Sequence, residues 1–427
     1  MKKLKLWGVV GLVVTGMALS GCGSDDSSST ATLRVLNATN SHASIDLLVN
    51  ANVAESATAT DAVSAYASVS SGSNTLQVND TATSTALVTV APTLTGGNNY
   101  TLIAYEAGSS VKTLVLTESN ATPTSGTAQM RLVNAATSAG TLDTYVASVA
   151  DCSSSTLSTL TPLATLNTLA TYGPGTYRVC VTAAGDAADL RMDMSVTLAN
   201  QQIAYLIMTP AAGGSLINGS LLTQQGSNVA TRNTGARVRL ASAVSGGASV
   251  AATATLSGAT TTSVGDSIAP ALGYYVLVPN AASRALNITV GGLGSVSAPS
   301  AVLAAGGDYT LLVYGSTSSA TASLLTDDNR PPTDGTSVKL RLINGITGSS
   351  GNLTLTANNS LVAGGVVPGS ASSYITKTIS TTAATDLLLT SSAVAGNLLQ
   401  TSTQLNVNTV YTVLAGGDVS APQFIIR

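Results

Sequence analysis

His42 is the only histidine among 427 residues, and it stands in the loop Asn40-Ser41-His42-Ala43. A Ser-His-Asp or Cys-His relay needs an imidazole to take and return a proton, so any such site would have to be built on this one residue. The rest of the chain has no counterpart of that loop, and a solvated loop histidine is the simpler expectation. Zinc held by three histidines, or by two and a glutamate, is excluded. Glycoside hydrolysis needs only two acids facing each other across a sugar. The 20 acidic residues are thinly spread, however, and no pair is singled out by spacing. Asp327, Asp328 and Asp334 could lend oxygen ligands to calcium, but they do not match an EF-hand loop, and a solvated acidic linker is the expectation there. Catalytic, cofactor-binding and metal residues are therefore expected to be none.

The cysteines point to a compartment. Met1-Lys2-Lys3-Leu4-Lys5 opens the chain, an apolar run fills residues 6–19, and Leu19-Ser20-Gly21-Cys22 follows. A basic start, an apolar stretch short for a bilayer, and small residues before a cut site mark an export signal. The four residues ending in Cys22 resemble the bacterial lipoprotein box. That resemblance implies cleavage after residue 21 and acylation of Cys22, and two or more acyl chains hold a protein stably at a membrane. The alternative is an ordinary signal peptide with an incidental cysteine. Gly23, where an aspartate would signal inner-membrane retention, favours the outer membrane. Cys152 and Cys180 are the other two cysteines; in an oxidising compartment a disulfide between them is expected over two free thiols.

Charged residues make up 9% of the chain, against about 25% ordinarily. Without Lys2, Lys3 and Lys5 the mature chain has 14 bases against 20 acids. Such a surface cannot provide the basic footprint of nucleic-acid binding.

Leu33-Arg34-Val35-Leu36-Asn37-Ala38 returns as Met130-Arg131-Leu132-Val133-Asn134-Ala135, Val238-Arg239-Leu240-Ala241-Ser242-Ala243 and Leu340-Arg341-Leu342-Ile343-Asn344-Gly345, with the arginines 97, 108 and 102 residues apart. This spacing predicts four copies of one small β-module. Tyr100, Tyr205, Tyr309 and Tyr411 each follow their arginine by 66 to 74 residues, and Leu116-Thr117-Glu118, Leu222-Thr223-Gln224 and Leu325-Thr326-Asp327 close the first three copies alike. Short runs such as Ser-Ile-Asp-Leu-Leu-Val at 44–49 alternate apolar and polar residues. Seven such runs in the first copy (33–38, 44–50, 64–69, 75–78, 86–90, 100–105 and 112–117) predict a sandwich.

The expected organisation is all-β. It comprises a signal peptide at 1–21, the lipidated cysteine and a flexible tether at 22–31, and four tandem immunoglobulin-like sandwiches at 32–118, 128–224, 236–327 and 336–427. The Gly-, Pro- and Asn-rich segments between them suit short linkers, and predict a string of separate domains. The recurrent arginines are expected to serve structure, pointing outward from an edge strand, with a bond to a loop carbonyl as one possible role.

The arginine-opened strand, the Asp46 and Asp143 strands, Tyr66, Tyr275 and Tyr374, and the late Tyr-Thr-Leu-Leu-Val-Tyr-Gly strand resemble the bacterial domain-of-unknown-function family 4397, over nearly all of 31–427. Copies three and four lack the aspartate of the second strand, which weakens any functional role for Asp46 and Asp143. The resemblance implies an exported β-sandwich and supplies no activity or site.

Trp7 lies in the leader, so the mature chain has no tryptophan for sugar stacking. Nine of 13 tyrosines recur at module positions and read as framework, leaving Tyr145, Tyr172, Tyr177 and Tyr274 as candidates for exposed contacts, with ordinary packing the expectation even there. The functional expectation is a non-catalytic, membrane-anchored envelope lipoprotein for binding, adhesion or spacing. Its partners would be membrane lipid through Cys22 and a surface polysaccharide or envelope protein. The alternative is an enzyme or accessory subunit acting on an extracellular polysaccharide.

Overall fold

The computed structural model describes residues 29–427 apart from 108–109, 119–120, 153–160, 163–165, 257–260, 301, 333 and 349–350. Their regular structure is strand, with two single 3-10 turns at Thr137–Ala139 and Ala281–Ser283. None of these residues forms a helix long and apolar enough to cross a membrane.

Four pairs of sheets follow one plan. In the first sandwich Thr30–Ala38 lies between Asn99–Ala107, to which it is parallel, and Ala67–Ser70, while Ser110–Thr117 completes the sheet. The facing sheet runs Asn52–Ala59, Ser44–Val49, Leu76–Asp80, Ala86–Val90. The fourth sandwich repeats this order with Ser337–Asn344 beside Val410–Asp418. In the second, an extra strand, Asn228–Thr231, joins the sheet beyond residue 224.

Side chains alternate across a strand, so each arginine-opened strand has two faces to cover. Leu33 and Val35 enter the first core, packed on Ile45, Leu47 and Val78 from the facing sheet. Tyr100 closes that core, and its hydroxyl accepts a hydrogen bond from the Thr95 amide at 2.8 Å. The same bond, five residues back in the chain, recurs from Ala304 to Tyr309 and from Asn406 to Tyr411.

The opposite face is where the string-of-domains expectation fails. Leu36, Ala38, Ile103 and Leu116 of the first sandwich are buried against Val133, Ile203, Ile207 and Leu222 of the second. Ala241, Ala243 and Leu312 of the third meet Ile343 and Leu414 of the fourth in the same way. Each sandwich keeps its own core, but the arginine-bearing sheets also pack in pairs. The arginine strands are therefore central and covered on both sides.

One strand of the first sandwich escapes the sequence pattern. Asn52–Ala59 is mostly exposed and joins Ser44–Val49 through a two-residue turn with Asn50 and Ala51 both at positive φ. An edge strand with little to bury shows no clean alternation, and two register shifts blur what remains.

Cys152 and Cys180 are bonded. Closing a loop across 28 residues stabilises by about 3–4 kcal/mol. A Cys152→Ser/Cys180→Ser variant should lose that much from the second sandwich in urea unfolding, and thiol titration of the unfolded, unreduced mature protein should find no reactive group. Two reactive thiols would contradict the pairing.

Candidate functional site

Between the first two sandwiches, Arg34 is 2% exposed and fully engaged. Its Nε donates to Thr101 Oγ1 at 2.9 Å and its Nη2 to Glu118 Oε1 at 3.0 Å. Its Nη1 and Nη2 also reach the Gly226 and Thr223 carbonyls, at the exit of the second sandwich, at 2.6 and 3.1 Å. The guanidinium lies 4.6 Å from the centre of the Tyr66 ring, and the Tyr66 hydroxyl donates to Glu118 at 2.7 Å. Burial, with the Glu118 bond, pushes the Tyr66 phenol up. The outward orientation expected for these arginines is thus wrong, whereas the bond to a loop carbonyl is present.

The third and fourth sandwiches build the cluster reciprocally. Arg239 donates to Thr310 at 2.9 Å and to Thr412 at 2.7 Å; Arg341 donates to Thr412 at 3.2 Å and to Thr310 at 3.1 Å. One carboxylate serves both, since Asp327 bonds Arg341 and lies 3.7 Å from Arg239. Tyr275 and Thr310 also donate to Asp327. Tyr275 and Tyr374 stack under Arg239 and Arg341 at 4.6 and 4.7 Å. The backbones approach closely here: a Cβ on Gly345 would lie 2.5 Å from that of Ala243, which explains why the fourth motif ends in glycine where the others end in alanine.

The second sandwich breaks the pattern. Register puts Thr101, Thr310 and Thr412 beside their arginines but Tyr205 beside Arg131, so Tyr205 is one residue out of line with Tyr100, Tyr309 and Tyr411. A one-residue slip changes face. Tyr205 consequently lies in the cluster between sandwiches rather than in a core, and burial pushes its phenol up to about 12. Leu169 follows the tyrosine position and Gln224 the acidic one, and the Arg131 Nε is buried without a partner.

The segments between sandwiches are pinned rather than loose. Arg232 bonds Asp61 at 2.8 Å and Asn228 reaches the Asp61 carbonyl at 2.8 Å. Burial raises the Asp328 carboxyl, but hydrogen bonds from Arg330 and Lys339 outweigh it and hold it at about 2. Since that pKa lies below the ordinary value, what these bonds add to stability is present above pH about 4 and lost as pH falls toward 2.

Three sandwiches converge on one cleft of about 510 Å³. Asp189 holds Arg191 through two bonds at 2.7 and 2.6 Å and lies 3.4 Å from Arg237 of the third sandwich. Arg237 forks onto Asp308 at 2.9 and 3.1 Å, and Asn329 donates to Asp308 at 2.7 Å. Despite its burial, the neighbouring Asp308 keeps the Arg237 pKa raised. Asp186, Tyr274 and residues 408–410 complete the walls. Sequence reading missed Arg237 and Asp308. The available signal was a basic residue two before the arginine, Arg237 in the third copy and Lys339 in the fourth, on the same face of the strand.

The remaining candidates have local duties. His42 Nδ1 pairs with Asp80 at 2.8 Å, a half-buried tie between its loop and Leu76–Asp80, so it is not simply solvated. Asp46 accepts from the Ala57 amide and Thr81, and Asp143 from the Gly185 amide. Asp334 caps the turn at Thr336 and Ser337. Among the described residues no three His, Cys, Asp or Glu side chains gather to hold a metal. Tyr172 and Tyr177 pack edge to face at 5.1 Å, and Tyr145 packs on the disulfide. Tyr274 alone of the four is open, at 77% exposure. Cys22 lies outside the described residues.

Residues 31–145 match the family described as "Domain of unknown function (DUF4397)", a span covering the first sandwich and running into Leu142–Ala147 of the second. By sequence, no curated protein matches the chain. Among solved structures it is similar to the Bacillus anthracis TIE protein at 10% identity, over 91% of this chain and 67% of that one, with a TM-score of 0.14. It is also similar to a multi-modular glycogen-degrading pneumococcal virulence factor, SpuA, at 9% identity, over 86% of this chain and 37% of that one, with a TM-score of 0.16. Likenesses at these scores carry no argument about function.

Proposed function

We propose that this chain is a non-catalytic lipoprotein of the bacterial cell envelope, anchored through acylated Cys22, whose packed sandwiches present one cleft to a surface or envelope component. The observation that supports it best is the clasp: buried arginines and carboxylates join the sheets in pairs, and Asp189 meets Arg237 between the second sandwich and the third, so residues from three sandwiches line one cleft. Freely jointed spacers would gain nothing from such contacts. The export signal and the box ending at Cys22 support the anchor, and Gly23 supports the outer membrane. One wall of the cleft is the linked set of Asp189 with Arg191 and Arg237, whose charges already satisfy one another, which suits recognition better than proton transfer.

In cells fed an alkyne-bearing palmitate, the wild-type chain should take up label and sediment with membranes. Cys22→Ser should lose the label and leave the membrane fraction; unchanged sedimentation would overturn the anchor. Detergent-solubilised protein should co-sediment with isolated cell envelopes, and a Tyr274→Ala variant should not. Protease shaving of intact cells decides which way the molecule faces.

A further inference from the structure

We propose that the cleft among the second, third and fourth sandwiches takes a neutral polysaccharide, with Tyr274 as its stacking platform. This rests on the binding role proposed above and names the ligand class. The Arg427 guanidinium sits 3.7 Å from the centre of the Tyr274 ring, covering one face. The residue nonetheless remains 77% exposed, so the opposite face must be open to solvent. The free face of this ring offers a flat apolar area to the C–H side of a pyranose.

The paired charges of the wall give no preference for an anionic polymer, and the cation at the platform, Arg427, is engaged with the Tyr274 ring. Asp189 is matched by Arg191 and Arg237, and Arg237 in turn by Asp308, so the paired wall presents no net positive field. Asp189 accepts three bonds of the roughly four a carboxylate can take, leaving about one acceptor position, held in place by the other bonds, for a hydroxyl donor. A volume of about 510 Å³ lies within the range of small-ligand sites. An open aromatic face beside rigid, internally balanced polar groups matches a ligand with one C–H face and many hydroxyls.

Affinity electrophoresis of the detergent-solubilised full chain through gels containing amylopectin, β-glucan, galactomannan or polygalacturonate tests this. At least one neutral polymer should retard the protein. Tyr274→Ala should weaken that retardation about tenfold, while Tyr274→Phe, which keeps the ring, should behave as wild type. Tyr274 is exposed enough that both variants should melt with the wild type, which separates lost binding from lost fold. Failure of every neutral polymer to retard the protein, retardation indifferent to Tyr274→Ala, or preference for polygalacturonate would overturn the inference. If envelopes bind through Tyr274 but neutral glycans neither retard the protein nor compete, the ligand class is wrong and the binding role stands. If neither envelopes nor glycans bind, both fall.

Discussion

Asp327→Ala is expected to destabilise the joined third and fourth sandwiches by about 3–5 kcal/mol, because it leaves Arg239 and Arg341 buried together without a carboxylate. The two guanidiniums would retain only Thr310, Thr412, one carbonyl and two tyrosine faces, none of which has a full negative charge. Urea unfolding followed by tyrosine fluorescence, with limited proteolysis at residues 328–335, should show the pair opening before either sandwich core melts. The companion variant Asp327→Ala/Arg239→Met/Arg341→Met should recover most of the loss, since apolar replacement of a buried ion cluster is often neutral or better. A single Asp327→Ala variant within about 1 kcal/mol of wild type would mean that the clasp does not hold the sheets together.

The recurrence of Arg34, Arg131, Arg239 and Arg341 pointed to a repeated β-module, because a motif returning at nearly constant spacing requires neither partners nor contacts to be seen. Leu33 and Val35 disclosed a core face by alternation, and the disulfide followed from compartment and count. What the sequence hid was the use of the other face. Leu36, Ile103 and Ile207 read equally well as a sheet buried on both sides or as one with scattered surface apolar residues. An arginine among them looked like a device of an edge strand, because nothing local reveals that Asn99–Ala107 and Ala67–Ser70 flank it. Glu118 and Asp327 were visible as shared exits, yet their partners lie across a sheet or in another sandwich. The cleft was the least legible feature, since Asp189 and Tyr274 belong to no repeat, Arg237 is matched only by Lys339 in the fourth copy, and the three come together only after the sandwiches pack.

Equivalent positions in the repeat should therefore respond unequally. Arg34→Met is expected to cost about 3–5 kcal/mol, because Glu118, fully buried, would keep Tyr66, Thr101 and the Gln225 amide as donors but lose the only cation paired with it among the described residues. Arg131→Met should change stability by less than about 1 kcal/mol, and by either sign. No acid stands at its module's exit, where Gln224 replaces the carboxylate, and its Nε already has no partner to lose. The register explains this asymmetry, since Tyr205 occupies the place where the other copies put a threonine that receives the arginine. Matched urea titrations of the two variants would check it, with proteolysis at residues 225–235 reporting release of the segment that Arg34 holds through Gly226. Equal losses at the two positions would show that the arginines serve the sheets in which they lie rather than the joints between them.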